Sequence, residues 1–182
     1  MSNITLGNNT QFIAQYVVLN GEQVVARIPG IQPGAQLLVP TNDTYQVIAT
    51  TVINGNTYIS APIDVAGPTN FLAQVVQVPS QGTYEFNVVE LPSTDPNQLQ
   101  FQKTTIGPVT FTITKDGVPL QTVVVNDAFQ LRTVTIGDTF SIYAVINGVT
   151  TATAVTTNPN ATVVAITDTA TLESGYFSLA LS

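Results

Sequence analysis

The side chains in this sequence that could carry out chemistry are few, and nearly all are oxygen acids. The chain holds eleven acidic and four basic residues, with no histidine and no cysteine. Those two absences remove the Ser-His-Asp arrangement, the thiolate nucleophile and the nitrogen- or sulfur-ligated metal. No Gly-rich phosphate loop closed by Lys and Ser/Thr occurs, and no dinucleotide fingerprint. A carboxylate pair of the kind that cleaves glycosidic bonds would have to come from Glu22, Glu85, Glu90 and Glu173. Glu85 alternates with Tyr84 and Phe86, so it is expected to face away from the core. Glu90 shares the parity of Tyr84 but stands at a strand end before Pro92. Neither is expected to be catalytic, and the chain is read as a non-enzyme.

Hard cations such as Ca²⁺ remain chemically open, because they need only oxygen ligands. The acids are spread singly, however. The nearest groupings are Asp64 with the 67–70 turn, Asp43, and in the second half Asp127, Asp138 and Asp168. Asp43 and Asp138 are each followed by Thr, and their expected work is to accept backbone N–H bonds in turns. No metal and no cofactor is expected. For ligand recognition the candidates are Tyr58 and Tyr143, with Tyr16 a third tyrosine to weigh. Tyr143 lies between Ile142 and Ala144 and should point outward, where the abundant Asn and Gln offer partners for hydroxyls.

These groups sit on an unusual background. Apolar residues make up 44% and charged residues 8%, against about 25% charged in an ordinary domain. Thr, Asn, Gln and Ser supply the polarity, giving a surface that hydrogen-bonds well and repels its copies weakly. The basic residues, Arg27, Lys103, Lys115 and Arg132, are scattered. They cannot neutralise a run of phosphates, which excludes nucleic acid as a partner. Anionic membrane surfaces are disfavoured on the same ground. No apolar run reaches the ~20 residues of a membrane span, so no membrane insertion is expected. The opening Met1-Ser2-Asn3-Ile4 lacks the basic and hydrophobic stretches of a signal peptide. An extracellular surface or a virion is the favoured location. Asn-x-Ser/Thr sites at Asn3, Asn8, Asn42 and Asn160 are expected by chance in so Asn- and Thr-rich a chain.

The elements that must position these groups are strands. Period-two alternation recurs: Tyr45, Val47 and Ala49; Tyr84, Phe86 and Val88; Phe140, Ile142, Ala144 and Ile146. Asn20-Gly21, Asn54-Gly55, Asp116-Gly117 and Asn147-Gly148 mark tight hairpins. Strands are predicted near 10–19, 22–28, 35–39, 44–53, 56–65, 69–78 and 83–91. The second half gives strands near 107–115, 118–125, 128–135, 138–146, 149–156, 160–169 and 175–181.

The halves resemble each other. Asp43-Thr44-Tyr45 matches Asp138-Thr139-Phe140, and Val52-Ile53-Asn54-Gly55 matches Val145-Ile146-Asn147-Gly148. Asn54 to Gly82 and Asn147 to Gly175 both span 28 residues. After those glycines, Tyr84, Phe86 and Val88 align with Phe177, Leu179 and Leu181. The predicted fold is all-β: two tandem antiparallel β-sandwich modules, jelly-roll or Ig-like, related by this internal repeat. Module 1 is placed at 1–91, a Pro-containing linker at 92–100, and module 2 at 101–182. One larger sandwich or barrel is the rival arrangement.

The functional expectation is a self-assembling structural protein: a fibre, appendage, coat or capsid-decorating subunit, forming a homo-oligomer or filament. Phe12, Ile13, Tyr16 and Val17 mark the candidate assembly strand, apolar on both faces and suited to strand addition; residues 1–9 would be a flexible arm. The alternative is a carbohydrate-binding or adhesin-like sandwich that meets a glycan or another surface protein.

Overall fold

A computed structural model of the chain describes residues 1–169 and 176–182. It is all-β. Its strands, numbered in chain order, are β1 (Asn3–Asn8), β2 (Ala14–Asn20), β3 (Gln23–Ile31), β4 (Gln36–Pro40), β5 (Tyr45–Ile53), β6 (Asn56–Ile59), β7 (Ile63–Val65), β8 (Thr69–Val78) and β9 (Thr83–Pro92). They continue as β10 (Gln98–Lys103), β11 (Val109–Lys115), β12 (Val118–Val125), β13 (Arg132–Thr135), β14 (Phe140–Ile146), β15 (Val149–Thr150), β16 (Ala154–Thr156), β17 (Thr162–Thr167) and β18 (Phe177–Leu181). Three of the four predicted hairpin turns, at Asn54-Gly55, Asp116-Gly117 and Asn147-Gly148, form with the expected left-handed pair, whereas at Asn20-Gly21 only Gly21 has a positive φ. Asn54 and Gly55 have φ of 51° and 78°, and Asn147 and Gly148 have 50° and 76°, the left-handed pair that a two-residue hairpin requires.

The chain forms two sandwich-like units, but they are not the two sequence halves. Unit 2 is Thr44–Ile136, inserted into unit 1, which is built from Met1–Asp43 and Gly137–Ser182. The expected linker at 92–100 is instead folded into unit 2. Pro92 still belongs to β9, and β10 begins at Gln98. Between them, Asp95 Oδ1 accepts the Asn97 N–H at 2.8 Å, Ser93 Oγ lies 2.7 Å from Asp95 O, and buried Gln100 donates to Thr94 Oγ1 at 2.7 Å. Prolines at Pro92 and Pro96 make a tight turn here, not a tether.

Each unit has two sheets, and the sheets share one plan. In unit 2 the orders are β13-β10-β8-β9 and β12-β11-β5-β6, with β7 also on β5. In unit 1 they are β4-β1-β17-β18 and β3-β2-β14-β15, with β16 also on β14. Moving every unit 2 strand nine places along the chain, and continuing from β18 to β1, reproduces unit 1. The expectation of purely antiparallel sheets is corrected, since β1 runs parallel to β17 and β10 parallel to β8. In both places the two strands come from different chain segments and need no tight connection.

Alternating side chains fill the space between sheets. Tyr45 and Phe140 are both buried, as are Val47, Ala49, Ile142 and Ala144. Unit 2 centres on Phe71, Phe101 and Phe111, with ring centroids 5.5 and 5.1 Å apart in sequence along that chain of contacts. Two expectations change. Residues 3–8 are not an arm but β1, hydrogen-bonded between β17 and β4, with Ile4 and Leu6 fully buried. Tyr84 is 58% exposed, because β8 and β9 run on past the end of the core. The pairings Ala73↔Val88 and Ala165↔Leu179 place Phe86, not Tyr84, at the position of Phe177. The sequence alignment there is displaced by two residues, which leaves the inward parity unchanged.

Candidate interaction surfaces

The side chains that sequence singles out for chemistry do not come together. Glu22, Glu85 and Glu90 are exposed, and Glu173 lies outside the described residues. Among the described residues no group of three or more acids is placed to hold a metal ion. Asp64 accepts a hydrogen bond from Gln46 Nε2 at 2.9 Å on neighbouring strands of unit 2. No helix among the described residues is long and apolar enough to cross a membrane.

The candidate assembly residues divide between a loop and a strand. Phe12 and Ile13 lie in the 9–13 connection, 41% and 49% exposed. Tyr16 and Val17 lie on β2, paired to β14 on one edge and β3 on the other, so neither edge of β2 is open. Tyr16 is buried and its hydroxyl donates to Gly7 O at 2.6 Å. Burial pushes this phenol up to about 12, partly offset by a backbone hydrogen bond from Ala165. Tyr58 is half-buried on β6 of unit 2 and Tyr143 half-buried on β14 of unit 1. Tyr143 does point outward: with Gln15, Val17, Arg27, Pro29 and Val145 it lines a shallow depression of about 400 Å³.

A larger feature lies at one end of unit 2. The register sets that end. Val109 faces both Val125 and Thr51, and Lys103 faces Ala73. The turns at 54–55, 79–82, 104–108 and 126–131 therefore gather together. The chain enters and leaves the unit at the other end, at Thr44 and Ile136. The 104–108 loop is set by Lys103, which is 1% exposed. Its Nζ donates to Thr105 O at 2.9 Å and to Ile106 O at 3.3 Å. Thr51 Oγ1 holds Pro108 O at 2.9 Å. These bonds turn the backbone carbonyls inward and leave the Ile106 side chain fully in solvent, as Phe129 is on the neighbouring loop. Val52, Val75, Tyr84, Ile106 and Gly107 line a cleft of about 510 Å³ beside them.

Nothing among known family models, curated proteins or solved structures matches this chain. Its own geometry must carry the functional reading.

Alternation does not single out Ile106, which belongs to no strand, and the strand predicted near 128–135 takes in Phe129, whereas β13 begins only at Arg132. The available signal is local: an isolated large apolar residue inside Thr104-Thr105-Ile106-Gly107-Pro108 or Asn126-Asp127-Ala128-Phe129. Turn formers surround each, and no strand face exists there for the side chain to join.

Proposed function

We propose that the chain is a non-enzymatic structural protein that associates with copies of itself, a subunit of a fibre, coat or surface layer. The observation that supports this reading is the loop end of unit 2. There Ile106 and Phe129 are fully exposed, with Val52 and Tyr84 more than half exposed. Such groups contribute nothing to the unit's own core, and a clustered apolar end marks a contact surface. A second copy is the favoured occupant. Only 8% of residues are charged, so two copies lose little charge solvation on contact. Their repulsion, from a formal charge of −7, is screened at physiological salt. The recurring nine-strand plan fits an internal repeat, with the first copy in β1–β9 and the second in β10–β18.

The test is sedimentation or light scattering across protein concentration, with electron microscopy of the largest species. Ile106→Asp with Phe129→Asp alters loop positions only and should weaken association at least tenfold while leaving the fold intact. A wild-type chain that stays monomeric up to high concentration would end this reading.

Tyr143 supports a second one. A tyrosine beside Gln15 and Arg27 over an open depression is suited to a sugar ring, with the adhesin-like role that implies. Retention on immobilised glycans, lost in Tyr143→Ala, would favour it over assembly.

A further inference from the structure

The four chain segments that build the two units are paired in an unequal way. In order they are 1–43, 44–92, 98–136 and 137–182. The second and third form unit 2, and the first and fourth form unit 1. The halves of unit 2 are joined directly by the compact 93–97 turn. The halves of unit 1 have no such join. They are connected only through the whole of residues 44–136, with four residues on each side, 41–44 after Pro40 and 136–139 before Phe140.

Neither half of unit 1 can bury its own apolar face. The first brings Ile4, Leu6, Ala14, Tyr16 and Val18, and the second brings Ile142, Ala144, Ile146, Val163 and Ala165, all buried together in the closed unit. They meet along seven antiparallel pairs between β2 and β14 and four parallel pairs between β1 and β17. Isolated hairpins are marginal in water, so an opened half must find a complement, and every copy of the chain carries one.

We propose that β1–β4 of one molecule pairs with β14–β18 of a second, rebuilding unit 1 between chains while unit 2 stays closed within each. The contacts are the same in both forms. What differs is the tether, whose effective concentration for a short flexible link is roughly millimolar. Exchange is therefore favoured when the protein folds at comparable local concentration, and short connections favour it further. Each molecule offers one half of each kind, so the contact is head-to-tail and propagates to rings or filaments. This goes beyond the association proposed above: it shares the second copy as partner but uses a different surface.

Gln15 and Val145 are directly opposite on β2 and β14. Opposed residues have Cα atoms about 4.5–5.5 Å apart, within the roughly 4.4–6.8 Å that a disulfide spans. The chain has no cysteine of its own. Gln15→Cys with Val145→Cys is refolded at graded protein concentration and then oxidised. The expected result is a covalent ladder of dimers and larger species on a non-reducing denaturing gel, growing with the refolding concentration. Protein oxidised as a dilute monomer should be locked and should not exchange when concentrated. Oligomers that contain only intrachain disulfides would overturn the proposal, and so would monomers at every concentration. Should the double variant fold poorly, wild-type oligomers isolated by size decide the matter. Exchanged ones persist on dilution until unit 1 opens, whereas oligomers that dissociate within the mixing time rule exchange out. Ile106→Asp with Phe129→Asp separates the two surfaces. Ladders that survive it support exchange without the loop end, and association abolished by it argues against exchange.

Discussion

Units 1 and 2 fill one strand plan with different chemistry, most plainly at the ends of β1 in unit 1 and β10 in unit 2. Asn8 and Lys103 occupy the same place in the plan, and each is buried. Each turns its side chain under the loop that follows. Asn8 Nδ2 donates to Phe12 O at 2.7 Å and Ile31 O at 2.8 Å, while its Oδ1 accepts from the Thr10 N–H at 3.0 Å. Lys103 does the donating half of this alone, to Thr105 O and Ile106 O. Two positions on, Thr10 Oγ1 lies 3.0 Å from Phe12 O and Thr105 Oγ1 lies 3.1 Å from Gly107 O. The plan thus requires a buried donor beneath this loop but leaves its charge open. The loop's outer residue is freer still. Phe12 stacks edge-on against Phe177 at 5.9 Å, whereas in unit 2 Gly107 takes the matching place and the cleft lies beside it. Phe12 in unit 1 packs against Phe177 and is still 41% exposed, whereas Ile106 in unit 2 lies fully in solvent.

The comparison breaks most severely in the cores. Phe71, Phe101 and Phe111 in unit 2 answer to Val163, Leu6 and Tyr16 in unit 1 by strand pairing. Phe101→Ala should destabilise unit 2 by about 4 kcal/mol, through lost transfer energy and the cavity left among rings. Leu6→Ala should cost unit 1 about 3 kcal/mol on the same reasoning. Hydrogen exchange resolved by strand checks both. Loss of protection in β8, β10 and β11 with β2 and β14 unchanged is expected for Phe101→Ala. Equal loss in all of them would mean that the units unfold as one.

The buried donors sharpen the comparison at smaller magnitude. Asn8→Ala removes the donor to Phe12 O and Ile31 O and the acceptor of the Thr10 N–H in a buried site and should cost about 2 kcal/mol. Lys103→Met also strips two carbonyls, but it removes a buried charge and keeps an apolar stem of similar length. Those effects offset one another, so its net cost should be about 1 kcal/mol or less. Denaturant midpoints of the two variants, assigned to their units, decide it. A Lys103→Met loss equal to that of Asn8→Ala would show that the charge itself is favourable there.

Much of this architecture was legible in the chain, and what was not has a physical cause. Tyr45, Phe140 and their alternating neighbours declare their strands because one face is wet and the other dry. Asn54-Gly55 and Asn147-Gly148 declare their hairpins because few other residue pairs tolerate φ near 50° and 78°, as in Asn54 and Gly55. The similarity of the halves was visible too, though the first hairpin is the longer one. Ala49 N–H bonds Ser60 Oγ eleven residues on, whereas Ala144 N–H bonds Thr151 Oγ1 seven residues on. Period and turn chemistry are local, however, and they do not say which half a strand joins. Nothing near Ile4 and Leu6 marks β17 as their neighbour, so an apolar alternation among Asn, Thr and Gly passes for a loose arm. The stretch 92–100, with its two prolines, passes for a linker, although β10 begins within it at Gln98. Lys103 looks like a surface residue until the carbonyls it holds are seen.

Tyr16 against Phe111 is the mildest contrast at neutral pH and the one with a signature of its own. Tyr16→Phe removes a bond to Gly7 O and should cost unit 1 about 1 kcal/mol. The phenol ionises at about 10 unfolded and about 12 folded. Below the unfolded value both states are protonated and pH has no effect through this group. Between the two values the unfolded chain releases the proton first, so stability falls as pH rises. The loss is about 2 kcal/mol at the upper value and tends to ~3 kcal/mol above it, at about 1.4 kcal/mol for each pKa unit. Tyr16→Phe lacks that loss, so the order of the two proteins should invert near pH 11, with the variant the more stable above it. Unit 2 carries Phe111 at the matching place and gains no such slope from this position. Unit 1 denaturation curves for the two proteins that stay parallel from pH 9 to 12 would mean that water reaches this ring.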